Sequence, residues 1–259
     1  MVKRNPVEKK IQKKCYVVGL IAFVSALFLA YFLLGNIKKN EQAAATYTAQ
    51  NTVRRIRSQM DEYVICSNIL ENVILAGYEL DEDGFSTLAS MLPNEDGVMK
   101  AFELAPKGVI AEVYPMKENA EAIGLDLLSD HERAAEAKLA KDSTEYTIAG
   151  PFELKQGGKG ALLFNPVYRT NDAGEQGFWG FVVLVIDWDR FVANMGLDRL
   201  SEADYCYTIW TEDLRTGEPN VLVQCPHTLP KDRLTVSCTL PNDSWHFDII
   251  PSNGWIPMS

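Results

Sequence analysis

GPFELKQGGKGALLFNPVY, residues 150–168, gathers three glycines and a lysine at Gly157-Gly158-Lys159-Gly160. As a phosphate cradle this stretch would open a helix in a nucleotide-binding α/β fold; as a turn it joins two strands of an antiparallel sheet. A Walker-type loop needs GxxxxGK followed by Ser or Thr, so that backbone N–H groups, a lysine and a hydroxyl converge on phosphate and magnesium. Counting back from Gly158-Lys159, the first glycine position holds Glu153, and the hydroxyl position holds Gly160. The ALLFNPVY that follows is strand-like, and Pro166 would break the helix that a cradle requires. The glycines fit a hairpin, where they supply positive φ.

The flanking sequence extends the sheet. EYTIAGPFEL and KGALLFNPVYR read as the two strands of that hairpin, and GFWGFVVLVIDW reads as a third, running into a helix at DRFVANMG. Upstream, GVMKAFELA and KGVIAEVYP read as strands joined at Pro106-Lys107-Gly108. ENAEAIGLDLL and HERAAEAKLAK read as short helices, the second capped by Ser129 or Asp130. Two strands, helices and three strands predict one antiparallel sheet with helices on one side, an α+β module of the PAS type. After Asp198 come four more strand candidates, DYCYTIWTED, PNVLVQCP, RLTVSCTLP and SWHFDIIP, with turns at Arg215-Thr216-Gly217, Pro226-His227 and Pro241-Asn242. A set this small is marginal alone and is expected to lean on the first module or on a helix.

The N-terminus sets the compartment. Lys3, Arg4, Lys9, Lys10, Lys13 and Lys14 face a single acid, Glu8, and CYVVGLIAFVSALFLAYFLLG then runs uncharged over residues 15–35. About 20 apolar residues at ~1.5 Å rise span a bilayer core of roughly 30 Å. Only Lys38 and Lys39 follow closely, so the positive-inside bias places the N-terminus in the cytoplasm and residues 36–259 outside. A cleaved signal peptide is the competing reading. The apolar stretch exceeds a signal h-region, and Ala43-Ala44-Ala45 lies too far beyond it for a cleavage site.

From Lys38 to Gly77 the chain has no proline and no internal glycine, and Val53, Ile56, Met60, Tyr63, Ser67, Leu70 and Ile74 repeat at spacings of three and four. This seam suits packing on the chain's own domain and equally a homodimeric stalk. The expected division is a basic leader (1–14), a transmembrane helix (15–35), a stalk helix (36–77), a membrane-distal PAS-like module (78–197) and a membrane-proximal one (198–259). Beyond residue 35 the chain holds 19 Lys+Arg against 34 Asp+Glu, a formal charge of −15. Nucleic acid is therefore not an expected partner.

Catalytic and metal signatures are weak. GxSxG, HExxH and EF-hand patterns are absent, and Asp187 and Asp189 sit at a strand-to-helix junction where N-capping explains them. Cys15, Cys66, Cys206, Cys225 and Cys238 lack CxxC spacing. A disulfide among Cys206, Cys225 and Cys238 and free buried thiols are both compatible with their positions. Neither an enzyme, a cofactor nor a metal site is expected.

The blocks LAPKGVIAEVYP, ENAEAIGLDLLSD, IAGPFELKQGGKG, NPVY and GFWGFVVLVIDWDRFV, in that order over residues 97–196, resemble the CHASE domain. This is the extracytoplasmic sensor of receptor histidine kinases and diguanylate cyclases, best known from plant cytokinin receptors. The resemblance implies a small organic ligand held in the distal module. It implies a ligand-bonding carboxylate at Asp126, a backbone contact at Ile148, apolar lining from Phe152 and Phe164, and a close-approach glycine at Gly180. Phe164 and Trp179 depart from the plant pattern, so ligand identity does not carry over. Members of the family continue into a second membrane helix and an output domain, whereas this sequence stops at NGWIPMS. A receptor fragment and a tethered module signalling through a partner are both compatible with that.

Overall fold

The computed structural model describes residues 6–78, 80–155, 157–170 and 173–255. Lys3 and Arg4 of the leader, the side chains of Glu8 and Lys9, Gln156 of the glycine turn and residues 256–259 lie outside the described residues. One uninterrupted helix, α1 (Pro6–Leu75), runs through leader, apolar stretch and stalk alike. It ends where Gly77 takes φ 85° and Tyr78 N–H donates back to the Val73 carbonyl at 3.4 Å, a glycine C-terminal motif.

Along α1 the surroundings change. Its apolar stretch is bare of protein, with Tyr16 and Phe28 more than 70% exposed, and it is long and apolar enough to cross a membrane. From Ala45 on, one stripe is buried: Ala45, Ala49, Ile56, Met60, Tyr63, Cys66, Ser67, Leu70 and Ile74. The three-and-four seam of the sequence is thus occupied by the chain's own domain, with Val53 half-buried at its edge.

The first sheet has the order β2-β1-β5-β4-β3, antiparallel throughout, from β1 (Met99–Pro106), β2 (Glu112–Tyr114), β3 (Thr147–Glu153), β4 (Lys159–Thr170) and β5 (Gln176–Asp187). The stretch 150–168 is indeed a hairpin: Gly157 and Gly158 both have φ near 80°, and Leu154 N–H bonds the Gly158 carbonyl at 2.9 Å. Lys159 is exposed and pairs with Glu153. The register shifts between Ala149 and Phe152, a bulge that bends the edge strand.

Helices cover both faces of this sheet, not one. Phe181, Val183 and Val185 of β5 face one side and Val182, Leu184 and Ile186 the other, all buried. No polar residue interrupts that run, so neither face can be left to water. The Val182 side packs into the cluster built on α1. The Phe181 side is covered by α4 (Ala134–Ser143) and the segment between β1 and α4. ENAEAIGLDLL is not a helix beyond the short α3 (Met116–Asn119) and a 3₁₀ turn at Ala120–Ala122. Gly124 has φ 84°, and Val109 pairs with Asp126 as an isolated bridge, so helix-forming composition yields to local pairing. The turn at residues 106–108 is correspondingly part of a wider loop, since Leu104 pairs with Glu112. Two further helices are present: α2 (Glu82–Ser90), capped by Asp81 accepting from Gly84 N–H, and α6 (Asp198–Glu202). Between β5 and α6, Asp187 caps α5 (Trp188–Asn194) by accepting from Arg190 N–H at 3.1 Å.

The second sheet has the order β7-β6-β9-β8, from β6 (Tyr205–Glu212), β7 (Pro219–Gln224), β8 (Leu234–Leu240) and β9 (Asp243–Pro251). Its inner face, including Ile209, Trp245, Phe247 and Ile249, joins the same α1 cluster. All five thiols are free, with Cys206 and Cys225 near enough to interact.

Truncating the shared stripe should therefore destabilise both sheets together. Leu70→Ala, at a fully buried position, is expected to lose about 2–5 kcal/mol in urea unfolding. Ile65→Ala on the exposed side of the same helix should stay within about 0.5 kcal/mol of the native chain.

Candidate ligand site

The Phe181 side of the five-stranded sheet carries a cluster distinct from the α1 core. Ala101 and Ala105 of β1, Ala149 of β3, and Ala137 and Ala140 of α4 are small enough for sheet and helix to approach closely. Phe164 and Phe181 meet at 5.7 Å between ring centroids, and Phe178 stands edge-on to Phe181 at 5.0 Å. Ile110, Leu127 and Leu128 of the connecting segment close the cluster from above.

Into this apolar layer β1, the strand between β2 and β5, sends Glu103, between Ala101 and Ala105 on the same face. Its residue is 2% exposed, and Oε2 has no hydrogen-bond partner. Burial pushes its carboxyl up to about 8, with the Arg133 charge pulling the other way. At neutral pH Glu103 is chiefly a protonated acid, able both to donate and to accept a hydrogen bond.

Arg133, also 2% exposed, is pinned at the mouth of α4. Nη1 reaches Asp130 at 2.9 Å and Glu132 at 3.1 Å, Nη2 reaches the Glu153 carbonyl at 3.3 Å, and the guanidinium lies 4.4 Å from the Phe152 ring centroid. Asp130 accepts from the N–H groups of Glu132 and Arg133, closing the turn ahead of α4, whose N-cap position is Arg133 and carries no side-chain cap. Despite partial burial, the Arg133 hydrogen bond and charge hold its carboxyl below the ordinary carboxylate range.

The five residues singled out in the sequence divide. Phe164 is fully buried in the cluster and Phe152 packs on its edge. Asp126 is half-buried, and its Oδ1 accepts from Leu128 N–H at 3.0 Å, closing a turn in the segment that roofs the face. Ile148 pairs with Leu163 and packs its side chain into the α1 core on the opposite side. Gly180 does allow a close approach, to backbone: a Cβ there would lie 2.2 Å from the Ala105 carbonyl oxygen, where the end of β1 pairs with β5.

Glu103 escaped notice because Ala-x-Glu-x-Ala alternates like the solvent face of an ordinary antiparallel strand. The signal was in β5: a partner strand apolar on both faces leaves its neighbour no wet face.

The CHASE domain profile matches residues 83–222. The chain belongs to the CHASE domain family. The match runs from α2 through β7, further in both directions than the motifs at residues 97–196. CHASE domains are sensor domains, and the long apolar helix ahead of one fits a single-pass membrane protein. An extracellular ligand binding receptor from Desulfohalobium retbaense DSM5692 superposes with a TM-score of 0.60 at 13% identity, over 78% of this chain and 39% of that one. This chain therefore spans well under half of that receptor, and the likeness is one of fold. The Vibrio cholerae LuxQ periplasmic domain aligns with 81% of this chain and 99% of its own at a TM-score of 0.45 and 11% identity. No curated protein matches the sequence.

The buried acid makes stability depend on pH. Glu103 holds its proton in the fold up to about pH 8 but loses it near the ordinary carboxylate range when unfolded. The folded state therefore binds the extra proton, and stability falls as pH rises through that window. Between pH 5.5 and 8.5 the melting temperature of the native chain should drop by several degrees more than that of Glu103→Gln. Parallel profiles would place Glu103 in contact with water.

Proposed function

We propose that this CHASE domain is a membrane-anchored extracytoplasmic sensor that binds a small organic molecule against the Phe181 face of its five-stranded sheet. The observation that carries this reading is Glu103, a buried carboxyl with an unpartnered oxygen in the middle of that face. An unsatisfied polar group in an apolar layer costs on the order of 1–3 kcal/mol. A ligand that donates to it recovers that loss. The proposed class is a small amine or primary amide with an apolar body, walled by Phe152 and Phe164. Asp126 serves by fixing the roof segment, and Ile148 and Gly180 by setting the strands behind the site. Residues 15–35 cross the bilayer with the N-terminus in the cytoplasm, residues 36–77 form the stalk, and residues 78–197 and 198–259 form the distal and proximal modules. The chain acts without catalysis, cofactor or nucleic acid.

The distal sheet is bonded to α1 at places suited to carry a change toward the membrane. Asn165 Nδ2 reaches Asn68 Oδ1 and Glu71 Oε2, both at 3.0 Å, and Arg169 grips the Ile74 carbonyl. Ligand binding would bias two placements of α1, by no more than its difference in affinity for them. A homodimer would pair a helix face other than the buried stripe; Ile65 and Ile69 lie on such a face.

Because Phe164, Phe178 and Phe181 already fill much of the face, an interaction module without a ligand is the second reading. Thermal shift of the full chain in nanodiscs against small amines, primary amides, purines and carboxylates separates the two. An amine or amide should raise the melting temperature, and Glu103→Leu should lose that response while remaining folded. No stabilisation by any compound, or an equal shift in Glu103→Leu, would favour the interaction module.

A further inference from the structure

The outer face of the second sheet holds a cleft of about 310 Å³ between β6, β7 and the loop that leads from β7 to β8. Its walls are apolar where Trp210, Val221 and Leu229 line it, and polar where Gln224, His227 and Arg233 do. A concave, largely apolar space of roughly 300–1,000 Å³ with a few placed polar groups is the usual form of a small-molecule site.

Asp248 is the fixed point beneath it. The residue is 2% exposed, and its carboxylate takes three donors: Arg233 Nε at 2.5 Å and Trp210 Nε1 at 3.0 Å on Oδ2, and Thr235 Oγ1 at 2.6 Å on Oδ1. These bonds orient the two largest groups of the cleft. Trp210 is also stacked on His246, with ring centroids 4.1 Å apart, and His246 in turn meets Ser237 Oγ at 3.1 Å. Arg233 uses Nε for its one ion pair among the described residues. That leaves Nη1 and Nη2 as a fork beside the cleft, on a side chain 38% exposed. The neighbouring acid, Asp232, is turned away to Lys38 at 3.5 Å.

We propose that this cleft is a second ligand site, for a small carboxylate with a flat apolar body. The guanidinium fork receives the carboxylate through two parallel N–H···O bonds, a geometry that a held arginine favours over any point charge. The flat body lies along the Trp210 ring between Val221 and Leu229. The field of the outer portion, at −15, does not draw anions in. Selection therefore rests on the fork and the aromatic wall. The site is separate from the Glu103 face, which offers an acid where this cleft offers a base.

Saturation-transfer NMR on the full chain in phosphatidylcholine nanodiscs, with phenylacetate as probe, tests it. Saturable phenylacetate binding is expected, with phenylacetamide and phenethylamine at least tenfold weaker. Arg233→Gln should weaken phenylacetate tenfold or more. Val221→Trp, which fills the cleft from a position 49% exposed and so leaves the fold alone, should do the same. Glu103→Gln should leave binding unchanged, whatever the fate of the distal site. The proposal is overturned if no saturable binding occurs, or if Val221→Trp binds like the native chain. It is equally overturned if only Glu103→Gln loses the probe, or if inorganic phosphate competes as well as phenylacetate does.

Discussion

Both sheets rest on one stripe of one helix. The residues of α1 between Ala45 and Ile74 that are buried form a single cluster with the inner faces of the five-stranded and four-stranded sheets. Four strands cannot close a core of their own. The four-stranded sheet borrows α1 as its second layer, and the five-stranded sheet does the same on one side. The aromatic contacts show the sharing directly. Tyr63 of α1 stands edge-on to Phe191 of α5 at 6.2 Å, and Phe191 meets Trp245 of β9 at the same separation. Polar ties follow the same route: Arg55 reaches the Met195 carbonyl at 3.1 Å.

The two modules also hold each other without the helix. Asn242, in the β8–β9 turn, donates to Ser143 Oγ at 2.7 Å and Thr147 Oγ1 at 2.8 Å, and lies within 3.3 Å of the Tyr146 carbonyl. Arg215 reaches the Glu132 carbonyl at 2.9 Å and the Glu136 carboxylate at 3.5 Å. These bonds end at β3 and α4, the elements that flank the Glu103 face. A displacement of α4 thus bears on α1 through the five-stranded sheet and on the four-stranded sheet through Asn242 and Arg215.

The strands were legible because their signals are local. Glycines with positive φ at the hairpin, the short apolar runs of the β3 and β4 stretches and the β-branched run of β5 each specify strand or turn over a few residues. Other features depended on what lies across the fold. The seam of α1 could not be assigned from spacing, since a sheet face and a partner helix ask for the same three-and-four repeat. Residues 118–128 have the composition of a helix, but Gly124 and the Val109–Asp126 bridge hold them as a roof. Of the residues the family motifs implied, Phe164 is buried in the Phe181 cluster and Phe152 packs on its edge. Glu103 and Arg133 did not appear, because alternation cannot distinguish a wet face from one covered by residues up to 40 positions away in sequence.

If α1 is the common second layer, its buried half and both sheets unfold as one unit. Native-state hydrogen exchange on the full chain in nanodiscs measures this directly. The slowest amides of α1 between residues 45 and 74, of β5 and of β9 should report the same opening free energy, and Leu70→Ala should lower all three together. Opening of β9 or of that half of α1 at a markedly lower free energy than β5, or a Leu70→Ala effect confined to one sheet, would contradict the account.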